Sequence, residues 1–534
     1  MKLKYNILVG ISLLCNEIYA DTKDSIVFLQ DTIQLADSKY AKLAPKEQQL
    51  LKKLTNENNR YIANDIGTFV GNVNIVTIAD PLDDGITKIL VIGNSFSDDG
   101  VEFYLHDLAK YSGKALVIGN LFRGGAALDF HLKNAETDNK IYSYRKTTID
   151  NIKTNTDRTS ILQALQDENW DYICFQQASV TSGDLVSVQQ SLPALFNYVK
   201  ENYPYPTVKY IYHQTWAYGQ NAVTANFDRY DRNQQLMYSQ IVDVSKEIKN
   251  IIPLYKTVPS GTAIQNGRTS YLGDNFTREA YHLDLLIGRF TAACAWYETI
   301  FGDVKSNPFR PYNLNENQAA IAKEAAYQAI QSPFQVTPLT QFQQQQKFDN
   351  KFSRVQINFG HDLVMAGWNS FLYEKEGRKM FSLRDVNNVS SDINIEVAQS
   401  FNKRDMQGPS RTIVGEWKLS KEVSQSNFNT EINTENAGKS FIVISNLKPN
   451  QTYAIELFSS TRAQIDGFNY FFIKGTRTER VKHKASQNVS ETIKLTAIKP
   501  DKDGRIEIGF ELPKNVKPYM GYINALSIEL IKTN

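Results

Sequence analysis

The chain has 534 residues, which at about 100–200 residues per domain leaves room for about three domains and a sizeable core. Its 59 Lys and Arg residues and 57 Asp and Glu residues give a formal net charge of +2. This balance gives no electrostatic support for binding to nucleic acid or to an anionic membrane surface. A hydrophobic content of 42% with only 16 prolines also excludes a disordered or fibrous chain.

The start of the chain has the order of a secretory signal peptide. Two lysines within the first four residues are followed by an apolar run from Ile7 to Cys15 and by Ala20 before Asp21. No later segment holds the roughly eighteen consecutive apolar residues that a membrane span requires. We therefore expect an exported protein that is not transmembrane and is periplasmic, secreted or at the surface of a bacterium. A lipoprotein anchored through Cys15 is the alternative, although the preceding Leu14 is larger than lipid-attachment signals usually have.

Residues 21–85 have a polar, helical pattern, and a different pattern begins at residue 86. Short apolar runs (86–93, 115–119, 172–175 and 208–212) alternate with amphipathic stretches of helical length (101–111, 160–169, 186–202, 233–249 and 285–301). This alternation predicts a parallel sheet covered by helices on both faces. Cys174 and Cys294 lie in such apolar segments, and we interpret them as small buried side chains.

From about residue 353 the hydrophobic period switches to two. Runs at 355–359, 440–444, 453–458, 468–473, 492–497 and 505–510 are separated by Gly, Asn, Pro and Asp turns, which predicts an all-β sandwich. We therefore expect a signal peptide (1–20), a helical segment (21–85), an α/β domain (86–305), a helix with a linker (306–350) and the sandwich (351–534). Trp368 is interpreted as a core residue, with sugar stacking as the alternative.

The sharpest local motif follows the first predicted strand, where the chain reads Gly93-Asn94-Ser95-Phe96-Ser97. A strand that ends at Gly93 would present the Ser95 hydroxyl at the carboxyl edge of the sheet, where open α/β folds bind their ligands. Ser95 is thus a candidate nucleophile, and a helix N-cap is the simpler alternative. The motif is not the Gly-x-Ser-x-Gly elbow of α/β-hydrolases, because Ser97 replaces the second glycine.

A serine nucleophile needs an imidazole base, and the chain has six histidines. His282 follows Glu279 by three residues, so that carboxylate could hold the imidazole in the required tautomer. Ser95, Glu279 and His282 could therefore form a triad, although a Glu-x-x-His spacing is common by chance. His213, at the end of a predicted strand, is the competing site histidine.

Five blocks in order resemble the SGNH/GDSL hydrolase superfamily, and in particular a poorly characterised branch found in exported proteins of polysaccharide-degrading bacteria. The blocks are Ile92-Gly93-Asn94-Ser95-Phe96-Ser97, Gly124-Gly125-Ala126-Ala127-Leu128, Phe175-Gln176-Gln177-Ala178-Ser179, Gln214-Thr215-Trp216-Ala217-Tyr218 and Pro259-Ser260-Gly261-Thr262-Ala263-Ile264-Gln265. The resemblance covers residues 86–302 and implies a three-layer, flavodoxin-like α/β fold. The C-terminal region resembles, less specifically, the galactose-binding-like jelly rolls of secreted carbohydrate-active enzymes.

By this resemblance Ser95 is the nucleophile, His282 the base and Glu279 the orienting acid, and no metal or organic cofactor is needed. The oxyanion hole would use the N–H groups of Ser95 and Gly125, with Gly124 as the alternative to Gly125.

The sequence departs from the family pattern in three blocks. Asn94 replaces the usual Asp, Glu279 replaces the usual Asp, and Gln176 and Gln177 stand where the family has Gly-x-Asn-Asp. Neighbours on a strand point to opposite faces, so either glutamine could supply the missing oxyanion donor, and we favour Gln177. Gln176, Trp216 and Asn94 are predicted to bind substrate.

The resemblance implies a secreted serine esterase that removes O-acetyl or other short acyl groups from carbohydrates. The preference for an acylated carbohydrate rests on the appended β-region and on export, which is analogy. A lipase or thioesterase for longer acyl chains, and an inactive glycan-binding surface protein, are the alternatives.

Overall fold

The computed structural model describes residues 84–531 apart from positions 204, 206, 349–351, 362–364, 414–416 and 436–438. The predicted signal peptide, and all but the last two residues of the predicted helical segment 21–85, lie outside the described residues. From Thr87 onwards the chain forms one compact unit. No helix in the described part of the chain is long and apolar enough to cross a membrane.

The first half of this unit is built on one seven-stranded sheet. Its strands are β1 (Ile86–Gly93), β2 (Ala115–Phe122), β3 (Tyr142–Thr147), β4 (Lys153–Thr159), β5 (Tyr172–Phe175), β6 (Lys209–His213) and β7 (Lys256–Val258), in the order β4-β3-β2-β1-β5-β6-β7. Strands β1, β5, β6 and β7 pair in parallel. Without β3 and β4 the order is that of a flavodoxin-like sheet, so the predicted α/β class is confirmed.

An antiparallel extension of this sheet was not predicted. Strand β3 pairs antiparallel with β2, and β4 pairs antiparallel with β3. Strand β4 is exposed along nearly its whole length and reads Lys-Thr-Asn-Thr-Asp-Arg-Thr, so it has no apolar run by which to recognise it.

Nine α-helices accompany the sheet in this half of the described chain. They are α1 (Ser95–Val101), α2 (Leu105–Tyr111), α3 (Leu128–Glu136), α4 (Ile161–Leu165), α5 (Leu185–Asn202), α6 (Gln234–Ile251), α7 (Ser260–Arg268), α8 (Ile287–Ile300) and α9 (Glu316–Gln331). Residues Ile89 to Gly93 of β1 are all buried, as expected for a strand covered on both faces. The predicted helix 101–111 is wrong at its start, because Tyr104 at φ +62° separates α1 from α2.

A two-stranded hairpin, β8 (Thr277–Arg278) and β9 (His282–Leu283), lies just before α8. It is too short to leave a period-two pattern, so it was not predicted. Its residues include the histidine of the candidate triad.

The second half of the described chain is built from β-strands, as predicted, with one short helix among its described residues. The strands are β10 (Arg354–Phe359), β11 (Asn369–Phe371), β12 (Lys379–Met380), β13 (Asn394–Gln399), β14 (Lys403–Asp405), β15 (Asn427–Ile432), β16 (Lys439–Ser445), β17 (Thr452–Phe458), β18 (Asn469–Lys474), β19 (Thr478–His483), β20 (Ile493–Ile498), β21 (Ile506–Glu511), β22 (Tyr519–Ile523) and β23 (Ala525–Ile531), with one short helix, α10 (Lys421–Gln425). They form sheets of five, six and three strands, with β10 and β23 paired antiparallel. We call this part of the chain the β-region. Its galactose-binding-like jelly-roll character stays a prediction.

Three side chains interpreted as core residues are buried. Trp368 stacks on Trp417 with ring centroids 5.9 Å apart, which confirms the core interpretation over sugar stacking. Cys174 and Cys294 are buried free thiols.

Candidate active site

The Ser95 hydroxyl lies at the carboxyl end of β1, beside β5, where the strand order of the sheet reverses. Asn94, not Ser95, is the N-cap of α1, and its side chain accepts a hydrogen bond of 2.9 Å from the Phe96 N–H. Ser95 is half-buried, and within the described residues its hydroxyl makes no hydrogen bond. The capping interpretation of Ser95 is therefore wrong, and the hydroxyl is left available for chemistry.

Asn94 is buried, and both its side-chain nitrogen and its side-chain oxygen have hydrogen-bond partners. Its amide donates to the carbonyl of Ala126 at 2.8 Å, and its oxygen accepts from Gln176 at 2.8 Å as well as from Phe96. The prediction that Asn94 binds substrate is wrong, because it instead joins the Ser95 turn to the glycine block and to β5.

A buried polar chain runs from Asn94 through Gln176 and His213 to Ser260. Gln176 donates to Asn94 through its nitrogen, so its oxygen accepts from His213 Nδ1 at 2.8 Å. His213 Nε2 lies 2.9 Å from the Ser260 hydroxyl, which must then donate. Burial lowers the pKa of His213 to about 3, so the ring is neutral. His213 is thus a structural residue, and the predicted contact between Gln176 and substrate is wrong because that side chain is fully buried.

Gln177 does not supply the predicted oxyanion donor. Its oxygen accepts from the N–H groups of Leu128 and Ala178 at 3.0 and 2.8 Å, and its nitrogen donates to the Ser187 hydroxyl at 3.1 Å. With 2% of its surface exposed, it holds the first turn of α3. Neither glutamine therefore replaces the missing asparagine of the third block.

Trp216 is fully buried and packs against residues next to Ser95 and His282. Its ring stacks on Phe96 at 4.3 Å between centroids, and its indole N–H donates to the carbonyl of Tyr281 at 2.8 Å. The predicted role of Trp216 in substrate binding is wrong. It packs instead between the neighbour of Ser95 and the neighbour of His282.

The glycine block forms an exposed turn before α3. Gly125 has φ +71°, a left-handed conformation that favours glycine, and a side chain there would meet open space. In the described part of the chain no acceptor is assigned to its N–H, and neighbouring Gly124 is also exposed. An oxyanion contact from Gly125, or from Gly124, stays a prediction.

The hairpin β8–β9 brings Glu279 and His282 together. Glu279 and Ala280 form its turn with φ values of +41° and +62°. Glu279 Oε2 lies 3.4 Å from His282 Nδ1, so the carboxylate faces the nitrogen that a triad acid orients. Burial raises the pKa of Glu279, but the hydrogen bond from His282 and the charge of Arg278 together bring that pKa below its usual value.

The hairpin also lies against the helix that begins at Ser95. The centroid of the His282 ring is 6.0 Å from that of Phe96 and 4.2 Å from that of Tyr281. The hairpin that carries Glu279 and His282 therefore packs against Phe96, the residue after Ser95, and the Glu279 carboxylate faces Nδ1 of His282, not Nε2.

Asp99, which sequence reasoning missed, ties the hairpin to α1. It is fully buried, and its Oδ1 accepts from Arg278 Nη1 at 2.9 Å and from Arg289 Nε at 2.8 Å. Its Oδ2 accepts from the Leu283 N–H at 2.8 Å. The only signal in the sequence was a carboxylate four residues after Ser95, with two arginines flanking the Glu-x-x-His motif.

A second charged cluster borders α1 on the side of β2 and β3. Arg145 Nη1 lies 2.7 Å from Asp98 and 3.4 Å from Glu102, and Asn120 donates to Glu102. Burial, followed by the charge of Asp98, raises the pKa of Glu102 to about 7. Ser97 donates to Asn120 at 2.8 Å, so this cluster is linked to the turn that carries Ser95.

Comparison with known proteins gives a family for this chain. A family model described as a domain of unknown function, DUF4886, matches residues 88–329. A DUF4886 family protein from Bacteroides uniformis is 46% identical over a match that covers 48% of this chain and 99% of that chain, with a TM-score of 0.48. The chain belongs to the DUF4886 family.

Other solved structures match this DUF4886 member more distantly. A candidate SGNH hydrolase from Slackia heliotrinireducens has 18% identity, covering 40% of this chain and 99% of that one, with a TM-score of 0.29. A lipase from a goat rumen metagenome has 10% identity, covering 41% and 99%, with a TM-score of 0.27. A comparison with curated proteins finds no match.

Proposed function

We propose that this DUF4886 protein is a serine ester hydrolase with Ser95 as nucleophile, His282 as base and Glu279 as orienting acid. The observation that carries the proposal is the unbonded hydroxyl of Ser95 at the strand-order reversal, beside a hairpin in which Glu279 faces His282 Nδ1. The ordered motif blocks that resemble SGNH hydrolases support the same assignment.

The proposed reaction uses these residues in the following steps. His282 Nε2 takes the proton of the Ser95 hydroxyl as its oxygen attacks the ester carbonyl carbon, and the ionised Glu279 stabilises the imidazolium. The N–H groups of Ser95 and Gly125 would stabilise the oxyanion. The tetrahedral intermediate collapses, and the bond from the carbonyl carbon to the alcohol oxygen breaks as His282 gives its proton to that oxygen. Water then attacks the acyl-enzyme and gives a proton to His282. The bond from Ser95 to the acyl carbon breaks, the acid leaves, and His282 returns the proton to the Ser95 oxygen.

The proposed substrate is a carbohydrate that carries O-acetyl or another short acyl group. Two predictions support this substrate class. The chain is predicted to be exported, and the sequence of the β-region resembles domains that are appended to secreted carbohydrate-active enzymes. The small net charge of +2 favours an uncharged substrate over a polyanion.

The test compares the mature chain with Ser95→Ala in the hydrolysis of p-nitrophenyl acetate. We expect Ser95→Ala to lose roughly 1,000-fold or more in kcat, as triad serines do. The matched control is Ser239→Ala, an exposed serine on α6, which should keep wild-type activity. Equal, slow hydrolysis by wild type and Ser95→Ala would refute the esterase assignment and favour an inactive glycan-binding protein.

The substrate class needs a second measurement. p-Nitrophenyl esters from acetyl to dodecanoyl, followed by acetylated oligosaccharides, give the chain-length preference as kcat/KM. A preference for acetyl and release of acetate from the oligosaccharides are expected. A maximum at long acyl chains would contradict the carbohydrate proposal but not the role of Ser95.

A further inference from the structure

The β-region contacts the chain on both sides of the hairpin that carries Glu279 and His282. Arg378, which precedes β12, is 8% exposed, and its guanidinium donates to the carbonyl oxygens of Thr277 and Asn275. The same guanidinium lies 3.5 Å from the Asp284 carboxylate. One side chain from the β-region thus contacts the segment that enters the hairpin and the segment that leaves it.

Two further hydrogen bonds connect the β-region to the segments beside the hairpin. The Tyr373 hydroxyl accepts from the Leu285 N–H at 3.1 Å, and the Arg378 guanidinium lies 4.9 Å from the centre of the Tyr373 ring. The N–H of Lys379 donates to the Asn275 side chain at 3.2 Å. These contacts come from a part of the chain about 100 residues away and have no role in the chemistry itself.

A hairpin this short is marginally stable at best on its own, so its geometry depends on contacts with the rest of the chain. It has only two residues in each strand, and its turn uses two non-glycine residues, Glu279 and Ala280, in the left-handed region. The buried Asp99 fixes the inner side of the hairpin, and Arg378 fixes the flanks that face the β-region.

We infer that Arg378 is a positioning residue, and that the β-region serves as the outer half of a clamp that holds His282 in register with Ser95. This inference rests on the proposed function and deepens it. Arg378 touches neither substrate nor reacting atoms, and it acts by fixing the hairpin. A displacement of about 1 Å at a catalytic group costs roughly 100-fold in rate, so a loosened hairpin lowers kcat.

The chain offers a matched control in Arg384. It is 7% exposed, also lies in the β-region, and donates to the carbonyl oxygens of Tyr312 and Leu314 in the segment before α9. Its guanidinium lies over the Tyr312 ring, as Arg378 lies over Tyr373. Arg384 therefore shares with Arg378 the hydrogen bonds to two backbone carbonyls and the contact with a tyrosine ring, but its carbonyl partners lie in a segment that carries no candidate site residue.

The experiment uses the full mature chain and compares Arg378→Gln with Arg384→Gln. We expect Arg378→Gln to lower kcat on p-nitrophenyl acetate by about 10- to 100-fold with KM changed less than about threefold. Arg384→Gln should keep kcat within about twofold, although both variants should lower Tm. Amide hydrogen exchange of the 275–285 peptide should rise in Arg378→Gln and stay at the wild-type level in Arg384→Gln.

Equal kcat and equal exchange in the two variants would overturn the inference, and so would a fall in kcat without faster exchange in the 275–285 peptide. If Arg378→Gln does not fold, Tyr373→Phe removes only the acceptor of the Leu285 N–H. It should give a smaller loss of kcat with faster exchange in the same peptide. If wild type shows no activity that depends on Ser95, the proposed function alone fails, and the exchange comparison still decides the role of Arg378.

Discussion

The buried carboxylate of Asp99 joins the helix that begins at Ser95 to the hairpin that carries His282. It accepts hydrogen bonds from Arg278, Arg289 and the Leu283 N–H, so each of its oxygens has a donor. Asp99→Asn would place an amide nitrogen opposite one of these donors and remove the nearest negative charge from two arginines. Removing one member of a buried ion pair costs about 3–5 kcal/mol, and we expect this loss in the free energy of unfolding.

Urea unfolding and kcat on p-nitrophenyl acetate check this prediction. The control is Asp243→Asn, which removes an exposed carboxylate paired with Lys246. It should change stability by less than about 0.5 kcal/mol. If Asp99→Asn matches Asp243→Asn in both measurements, the buried carboxylate does not hold the hairpin.

Some residues of the candidate site could be predicted from the sequence and others could not. Ser95, Glu279 and His282 stand in short local motifs, so the sequence was enough to nominate them. Gln177 and Trp216 were assigned wrongly because their roles depend on which way a side chain points and what packs around it. Strand neighbours face opposite sides of a sheet, and a single sequence does not contain that choice.

Among the elements, the entry into α7 depends on a glycine that allows two backbone segments to meet. The Gly261 N–H donates to the carbonyl of Gln214 at 3.0 Å, and a Cβ at Gly261 would lie 2.1 Å from the Thr215 carbonyl oxygen. Because that oxygen is backbone, Gly261→Ala must shift either α7 or the segment after β6. We expect a loss of about 1–3 kcal/mol in the free energy of unfolding, the usual cost of overpacking.

Chemical denaturation of Gly261→Ala beside Gly124→Ala measures this cost. A Cβ at Gly124 would meet only the far end of the Phe122 ring, at 3.9 Å, so that variant should be close to wild type in stability. Equal stability of the two variants would mean that α7 does not need this close approach.

The elements differ in how well periodicity revealed them. Strand β1 and helices α5, α6 and α8 combine apolar runs or stripes with sufficient length, and they lie within two residues of their predicted limits. The polar strands β3 and β4 are held by pairing at a sheet edge, and the two-residue strands β8 and β9 by tertiary contacts. Neither source of order leaves a hydrophobic period, so both hairpins were missed.

At the scale of the whole molecule, the two halves of the described chain form one compact unit. The sequence instead predicted the β-region as a separate sandwich with its own role. Its all-β character follows from the period of two. Its contacts with the hairpin through Arg378 and Tyr373 could not be predicted, because they join residues far apart in sequence.

The stability of the whole molecule should depend on pH through Glu102. Its pKa is raised from 4.5 to about 7 in the folded state by burial and by Asp98, so between these values the folded protein binds more protons than the unfolded chain. Stability is therefore lost as pH rises from about 4.5 to 7, and the loss, roughly 3 kcal/mol, persists above pH 7. Glu102→Gln keeps an oxygen to accept from Asn120 and carries no charge. It should remove this part of the pH dependence and raise stability at pH 8 relative to wild type.

Urea unfolding at pH 5 and pH 8 measures the free energy of unfolding of wild type and Glu102→Gln, with Glu136→Gln, at an exposed position, as the control. The same change in stability between the two pH values in wild type and Glu102→Gln would show that Glu102 does not titrate in this window.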